Sequence, residues 1–356
     1  MSIPRGPIKG RGAVSNRDSR FNATSRVLID DEDCEEDFGS SPATSVTEEV
    51  PRSIISRNRS PDIPFDQSVN SYRGCEHGCI YCYARPTHAY LGLSPGLDFE
   101  TRLVVKRDAG SLLRRELNRK GYICKPIALG ANTDPYQPIE RLYGSTREVL
   151  RVLHDCHHPV SLTTKSALIE RDLDLLAPMA CRGLVHVQIS VTTLDKNLAR
   201  IIEPRAASPA RRLQTLARLA EEGIPTRVLL APVIPFVNDA EIDTILAEAA
   251  RCGARNASYV VLRLPLEIAD LFREWLHAHF PLRAQRVMNC LQEIHGGRVY
   301  DSRFGVRQSG SGVFAQLLQQ RFRLAQRKHG LHRPLPELDA TQFLFPRLMS
   351  DQMELF

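Results

Sequence analysis

The sequence predicts an α/β fold: a partial (β/α)6 TIM-like barrel with parallel strands, preceded by an N-terminal arm and followed by a C-terminal helical extension. Three observations lead there. From about residue 66 short apolar runs alternate with amphipathic stretches. Six such strand–helix units follow one another over about 220 residues, too few for the eight of a closed barrel. Regular β-then-α alternation also demands crossover helices between parallel strands.

The elements follow in order. Residues 1–65 are rich in Arg, Ser, Asn and Pro, carry an acidic knot at 30–37 and show no period, which predicts a flexible arm. Two islands, Lys9-Gly-Arg-Gly-Ala13 and Asn16-Arg-Asp-Ser-Arg-Phe21, suit either a basic arm for an anionic partner or a strap packed on the core. Strands are expected at 68–72, 127–131, 160–164, 185–192, 226–233 and 258–264, and helices at 111–120, 145–154, 169–179, 209–222, 239–252 and 266–279. Ser145 and Glu148 have the spacing of a capping box, and Gly223 and Gly253 punctuate helix ends. Residues 66–285 therefore form the barrel. Residues 286–335 form an extension whose helix, 314–329, is expected to pack through Leu317, Leu318, Phe322 and Leu324. Residues 336–356 form a separate extended tail.

Composition bounds the rest. The 356 residues are 42% hydrophobic and 25% charged, with a net charge of +6. That charge is compatible with a phosphate-bearing partner without demanding one. The first residues lack the apolar stretch of a secretory signal, and no run is long enough to span a membrane. A reducing cytoplasmic setting is expected, in which the nine cysteines are thiols or ligands rather than disulfides.

Three of them carry the chemistry. Cys75, Cys79 and Cys82 lie in Ser71-Tyr-Arg-Gly-Cys-Glu-His-Gly-Cys-Ile-Tyr-Cys-Tyr-Ala84. The spacing lets one short loop present three soft thiolates to an iron–sulfur cluster, zinc or cuprous copper. A four-iron cube takes four ligands, so three leave one iron open, as catalytic centres do. His77 and His88 could instead complete a zinc set. A non-catalytic zinc or iron–sulfur module that tethers partners is therefore the alternative. Other polar residues fall at predicted strand ends: Asn132, Thr133 and Asp134; Lys165; Ser190; and Glu203 with Arg205.

The Cys75–Cys79–Cys82 loop, with Tyr81 directly before the third cysteine, resembles that of the radical S-adenosylmethionine enzymes. The resemblance implies a 4Fe-4S cluster whose open iron binds S-adenosyl-L-methionine, reductive cleavage to a 5′-deoxyadenosyl radical, and a reductant such as flavodoxin or ferredoxin. It places Tyr81 near the adenine and makes Asn132, Thr133, Asp134, Lys165, Ser190 and Glu203 cofactor contacts, although a literal Gly-Gly-Glu segment is absent. Tyr81-Cys82-Tyr83 and the Asn-Thr-Asp segment are similar to those of the spore photoproduct lyase-like enzymes, which act on DNA. Tyr83 itself suits either a packing aromatic or a hydrogen-atom relay, since phenols can pass hydrogen atoms. Where those lyases carry a hydrogen-donating cysteine this chain has Ala131, which separates it from their reaction. Over nearly its whole length, including Lys9-Gly-Arg-Gly-Ala13 and Arg307-Gln-Ser-Gly-Ser-Gly312, the chain resembles uncharacterised bacterial DNA repair photolyase-like proteins. Gln352-Met-Glu-Leu-Phe356 resembles the peptide by which repair proteins dock on the DNA sliding clamp, with Met353, Leu355 and Phe356 as apolar anchors and Gln352 as the polar one.

Overall fold

The computed structural model describes residues 6–22 and 42–346; the acidic knot and the 352–356 peptide lie outside them. Among the described residues ten strands occur in order: β1 Ser45–Glu49, β2 Ile55–Arg57, β3 Gln67–Val69, β4 Tyr72–Arg73, β5 Arg102–Lys106, β6 Ile127–Leu129, β7 Val160–Thr164, β8 Val185–Ser190, β9 Thr226–Val233 and β10 Asn256–Val261. Strands β3, β6, β7, β8, β9 and β10 pair in parallel in chain order, and β2 adds antiparallel to the β3 edge. Strand order that follows chain order makes every crossover step the same way. Right-handed crossovers then put the helices on one face.

The side chains agree with that arrangement. Along β7 and β9 residues alternate between buried and half-buried. Val160, Leu162, Val228 and Leu230 enter the main apolar core with the helices. Ser161, His186, Gln188 and Arg227 point to the opposite, polar face; Arg227 Nε donates to Asn256 Oδ1 at 2.8 Å.

A second sheet, β1–β5–β4, was not expected. It involves residues 45–49 of the predicted flexible arm, and 11–15 are buried as well. The strap alternative therefore describes the N-terminal islands better than a free arm. Its cause is polar: main-chain groups of the strap are saturated by a buried carboxylate, a signal that apolar periodicity does not carry.

Three smaller expectations are corrected. The helix Ser145–Asp155 has no side-chain capping bond from Ser145. Instead Glu140, buried, accepts from Thr146 N at 2.9 Å and Arg147 N at 3.3 Å. The helix Gly312–Lys328 buries Ala315, Leu318, Phe322 and Ala325. Leu317 and Leu324 are exposed, because small alanines let the helix lie closer on that other stripe. The tail is not separate as far as residue 346: Phe343 packs edge-on against His158 and Leu344 N bonds Cys156 O at 2.9 Å, beneath the start of β7.

Candidate functional site at the carboxyl ends of the parallel strands

The cysteine loop follows β4, and the tips of β6, β7 and β8 meet it at the carboxyl edge of the sheet. Cys75 and Cys79 are buried and Cys82 is half-buried. Burial pushes the Cys79 thiol up to about 12, while Lys165 and Arg212 pull in the opposite sense. Burial also raises Cys75, and Cys79 and Cys82 add to it as neighbouring negative charges. Among the described residues no group of three or more His, Cys, Asp or Glu side chains closes around a single metal-ion position. The three soft thiols, adjacent on one loop with cations beside them, are a donor set that fits an iron–sulfur cube.

Two residues that sequence reasoning missed hold this loop. Arg85, fully buried, donates from Nε to Cys79 O at 2.9 Å and from Nη2 to Gly78 O at 3.1 Å. It also grips Pro95 O and Gly96 O, and its Nη2 pairs with Glu100 Oε1 at 2.5 Å. Glu100 accepts Gly12 N at 3.0 Å and Ala13 N at 2.9 Å. The strap therefore crosses the loop at contact distance: a Cβ on Gly12 would stand 1.8 Å from Gly78 O. No signal in the sequence joins position 12 to position 100, although Lys9-Gly-Arg-Gly-Ala13 did stand out.

On the other side lies a buried polar network. The Tyr81 hydroxyl donates to Glu203, which also accepts Thr192 Oγ1 at 2.6 Å and pairs with buried Arg212. The Lys165 ammonium sits 5.7 Å from the centre of the Tyr81 ring. Burial opposes charge on Glu203, but Arg212 and Lys165 outweigh it and hold the carboxyl below its usual range. Burial likewise opposes charge on Lys165, and Cys79 and Glu203 restore it. Glu203 is thus no surface ion-pair member, and Lys165 no free lysine.

The Asn-Thr-Asp segment is divided. Asp134 accepts Thr164 Oγ1 at 2.6 Å, Lys165 N at 2.8 Å and Tyr136 N at 2.9 Å, with His77 Nδ1 at 3.3 Å. Burial would raise its carboxyl, but His77, Thr164 and the Lys165 amide bring it down to about 2. Its oxygens join the β6 and β7 tips, a turn-holding role. Thr133 is buried, with Oγ1 donating to Tyr72 O at 3.3 Å. Asn70 Oδ1 receives the Asn132 and Thr133 amides. Among the described residues no hydrogen bond engages the Asn132 side chain. Gly130 makes this turn with φ of +90°, its would-be Cβ 2.2 Å from Thr163 O. Ser190 is buried, and its carbonyl accepts Arg212 Nη1 at 3.1 Å. Tyr83 is 46% exposed; its hydroxyl donates to Ala131 O, and Arg263 lies 4.9 Å from its ring centre.

Comparison with known proteins fits this geometry. The family model of the Radical SAM superfamily matches residues 69–249, more than half of the chain. An uncharacterized protein of Mycobacterium tuberculosis is 38% identical over 221 residues, 62% of this chain and 65% of its own length. One of Methanocaldococcus jannaschii is 30% identical over 221 residues, 62% of this chain and 79% of its own. The chain thus spans less than two thirds of the mycobacterial relative's length. Among solved structures, spore photoproduct lyase complexed with dinucleoside spore photoproduct has a similar fold: TM-score 0.55 at 15% identity, covering 80% of this chain and 79% of that one. Among the described residues no helix is long and apolar enough to cross a membrane. With the triple-thiol loop at the head of the matched region, the chain belongs to the radical SAM superfamily.

Proposed function

We propose that this chain is an enzyme on a partial (β/α)6 barrel that holds a four-iron four-sulfur cluster through Cys75, Cys79 and Cys82. It binds S-adenosylmethionine against that cluster and acts on DNA or another nucleic acid. The observation that carries the reading is the triple-thiol loop lying against the half-buried Lys165 and the buried Glu203–Arg212 pair at the strand ends. When bound, the cluster supplies the electron that cleaves S-adenosylmethionine to methionine and a 5′-deoxyadenosyl radical.

The chain's own residues bind and orient. Lys165 offers a carboxylate partner whose ammonium the site keeps charged. Glu203 orients Tyr81 and balances Lys165 and Arg212. Asn132, whose side-chain carboxamide has no hydrogen bond among the described residues, is the first contact for an ammonium or ribose group from the β6 tip. Thr133, Asp134 and Ser190 shape the wall behind it. Tyr83, at the rim with its hydroxyl on Ala131 O, is the residue that would relay a hydrogen atom at the substrate.

The nucleic-acid assignment draws on the net charge of +6 and on the fold likeness to a lyase solved with a dinucleoside lesion. The 352–356 peptide would deliver the enzyme to the sliding clamp; deleting it should abolish clamp capture in a pull-down with purified proteins. The decisive experiment is anaerobic turnover on damaged and undamaged DNA. Brown, iron- and sulfide-loaded protein should release 5′-deoxyadenosine on reduction. Colourless protein with stoichiometric zinc would instead establish the tethering module.

A further inference from the structure

We infer that the arginine-rimmed cavity behind the cysteine loop is where an acidic electron-donor protein docks. The inference rests on the iron–sulfur reading above. The cavity, of about 730 Å³, is walled by Arg141, Arg171, Arg205 and Arg211, with Glu170 the one carboxylate among its lining residues and His77 at its back. His77 lies between Cys75 and Cys79, so the cavity and the thiols share one stretch of backbone.

The chain separates this cavity from the Tyr81 side twice. After β7, Lys165 reaches over Tyr81 while the next residue, Ser166, lines the cavity. After β8, Glu203 bonds Tyr81 whereas Arg205 lines the cavity. Cofactor chemistry on one side of the loop leaves the other side for electron entry.

Charge complementarity selects the occupant. Three of the guanidiniums are held in place by acids: Arg171 by Glu140 and Asp172, Arg211 by Glu170, and Arg205 by Glu76 at 3.2 Å. Glu140, Asp172 and Glu76 are buried beneath the arginines, which leaves cationic edges outward. Arg141 is exposed and has no acidic partner among the described residues. Pre-set guanidinium forks receive carboxylates with little ordering cost, and such a patch steers an acidic partner to the loop. One electron leaves the donor's reduced flavin or iron–sulfur centre and enters the cluster; no bond is made and no proton is needed.

The test uses the full chain with its cluster reconstituted, and follows cluster reduction by absorbance bleaching in stopped flow. The reductants are reduced flavodoxin and, separately, dithionite. Arg141→Glu, at an exposed and unpartnered side chain, and Arg205→Gln should each slow flavodoxin-driven reduction by roughly tenfold at low salt, with the difference vanishing at high salt. Iron content and the dithionite rate should not change. Equal flavodoxin rates in wild type and variants overturn the proposal. So does loss of affinity for a fluorescent DNA strand with flavodoxin rates intact, which gives the cavity to nucleic acid. Wild-type protein that takes up no iron sinks the cluster reading itself, a different failure.

Discussion

Two buried arginine–glutamate pairs flank the cysteine loop, and they are built differently. Arg85 and Glu100 are fully enclosed, and their groups are spent on main chain: the carbonyls of Gly78, Cys79, Pro95 and Gly96, and the amides of Gly12 and Ala13. Arg212 and Glu203 are equally buried, yet Glu203 is ringed by the hydroxyls of Tyr81 and Thr192, with the Lys165 ammonium on Tyr81's ring. A pair saturated by backbone fixes a shape. A pair surrounded by hydroxyls and a second cation keeps charge available to something that arrives.

Breaking each pair should separate the two roles. Glu100→Gln leaves a buried guanidinium uncompensated and should cost about 3–5 kcal/mol in denaturant unfolding; a cost near zero would deny the strap its anchor. Its folded fraction, once loaded with iron, should bind S-adenosylmethionine as wild type does. Glu203→Gln should weaken that binding about tenfold in equilibrium dialysis, since it removes the charge that balances Lys165. Equal binding in both variants would erase the distinction.

A smaller effect concerns the clamp between the β6 and β7 tips. Burial raises the Asp134 carboxyl, but His77, Thr164 and the Lys165 amide hold it at about 2, below its ordinary 3.8. A depressed carboxyl stabilises the fold fully above its unfolded value and loses that contribution as pH falls through about 2. The lost amount is about 2 kcal/mol. Asp134→Asn should flatten the unfolding free energy over that acid window. Smallest of all, Leu324→Ser, at 68% exposure, should change stability by about 0.5 kcal/mol or less; a loss as large as a core truncation would mean that face is covered.

The legible parts of the chain were those whose information is local. Strands 160–164 and 226–233 coincide with β7 and β9 because alternation and β-branched residues agree there. The thiol loop was read from a spacing of seven residues. What escaped depends on distant partners. Residues 45–49 form a strand only because β5 offers an edge. The buried stretch 11–15 needs Glu100, 88 positions from Gly12. Helices Lys196–Ile202 and Pro281–Ile294 were also missed. The first is only about two turns long, and the second directly continues another helix, so neither stands apart as a period. Asn132, Thr133 and Asp134 could be grouped by position, but only geometry divides the Asn132 side chain from the two groups that hold the turn.

The crossing of Gly12 over Gly78 carries a consequence for biosynthesis. Residues 11–15 are translated well before Glu100, the carboxylate that Gly12 and Ala13 grip. They must therefore stay unplaced while the nascent chain grows past them. During that interval the thiol loop lacks its outer wall, which is in place only once the amides of Gly12 and Ala13 have found their carboxylate.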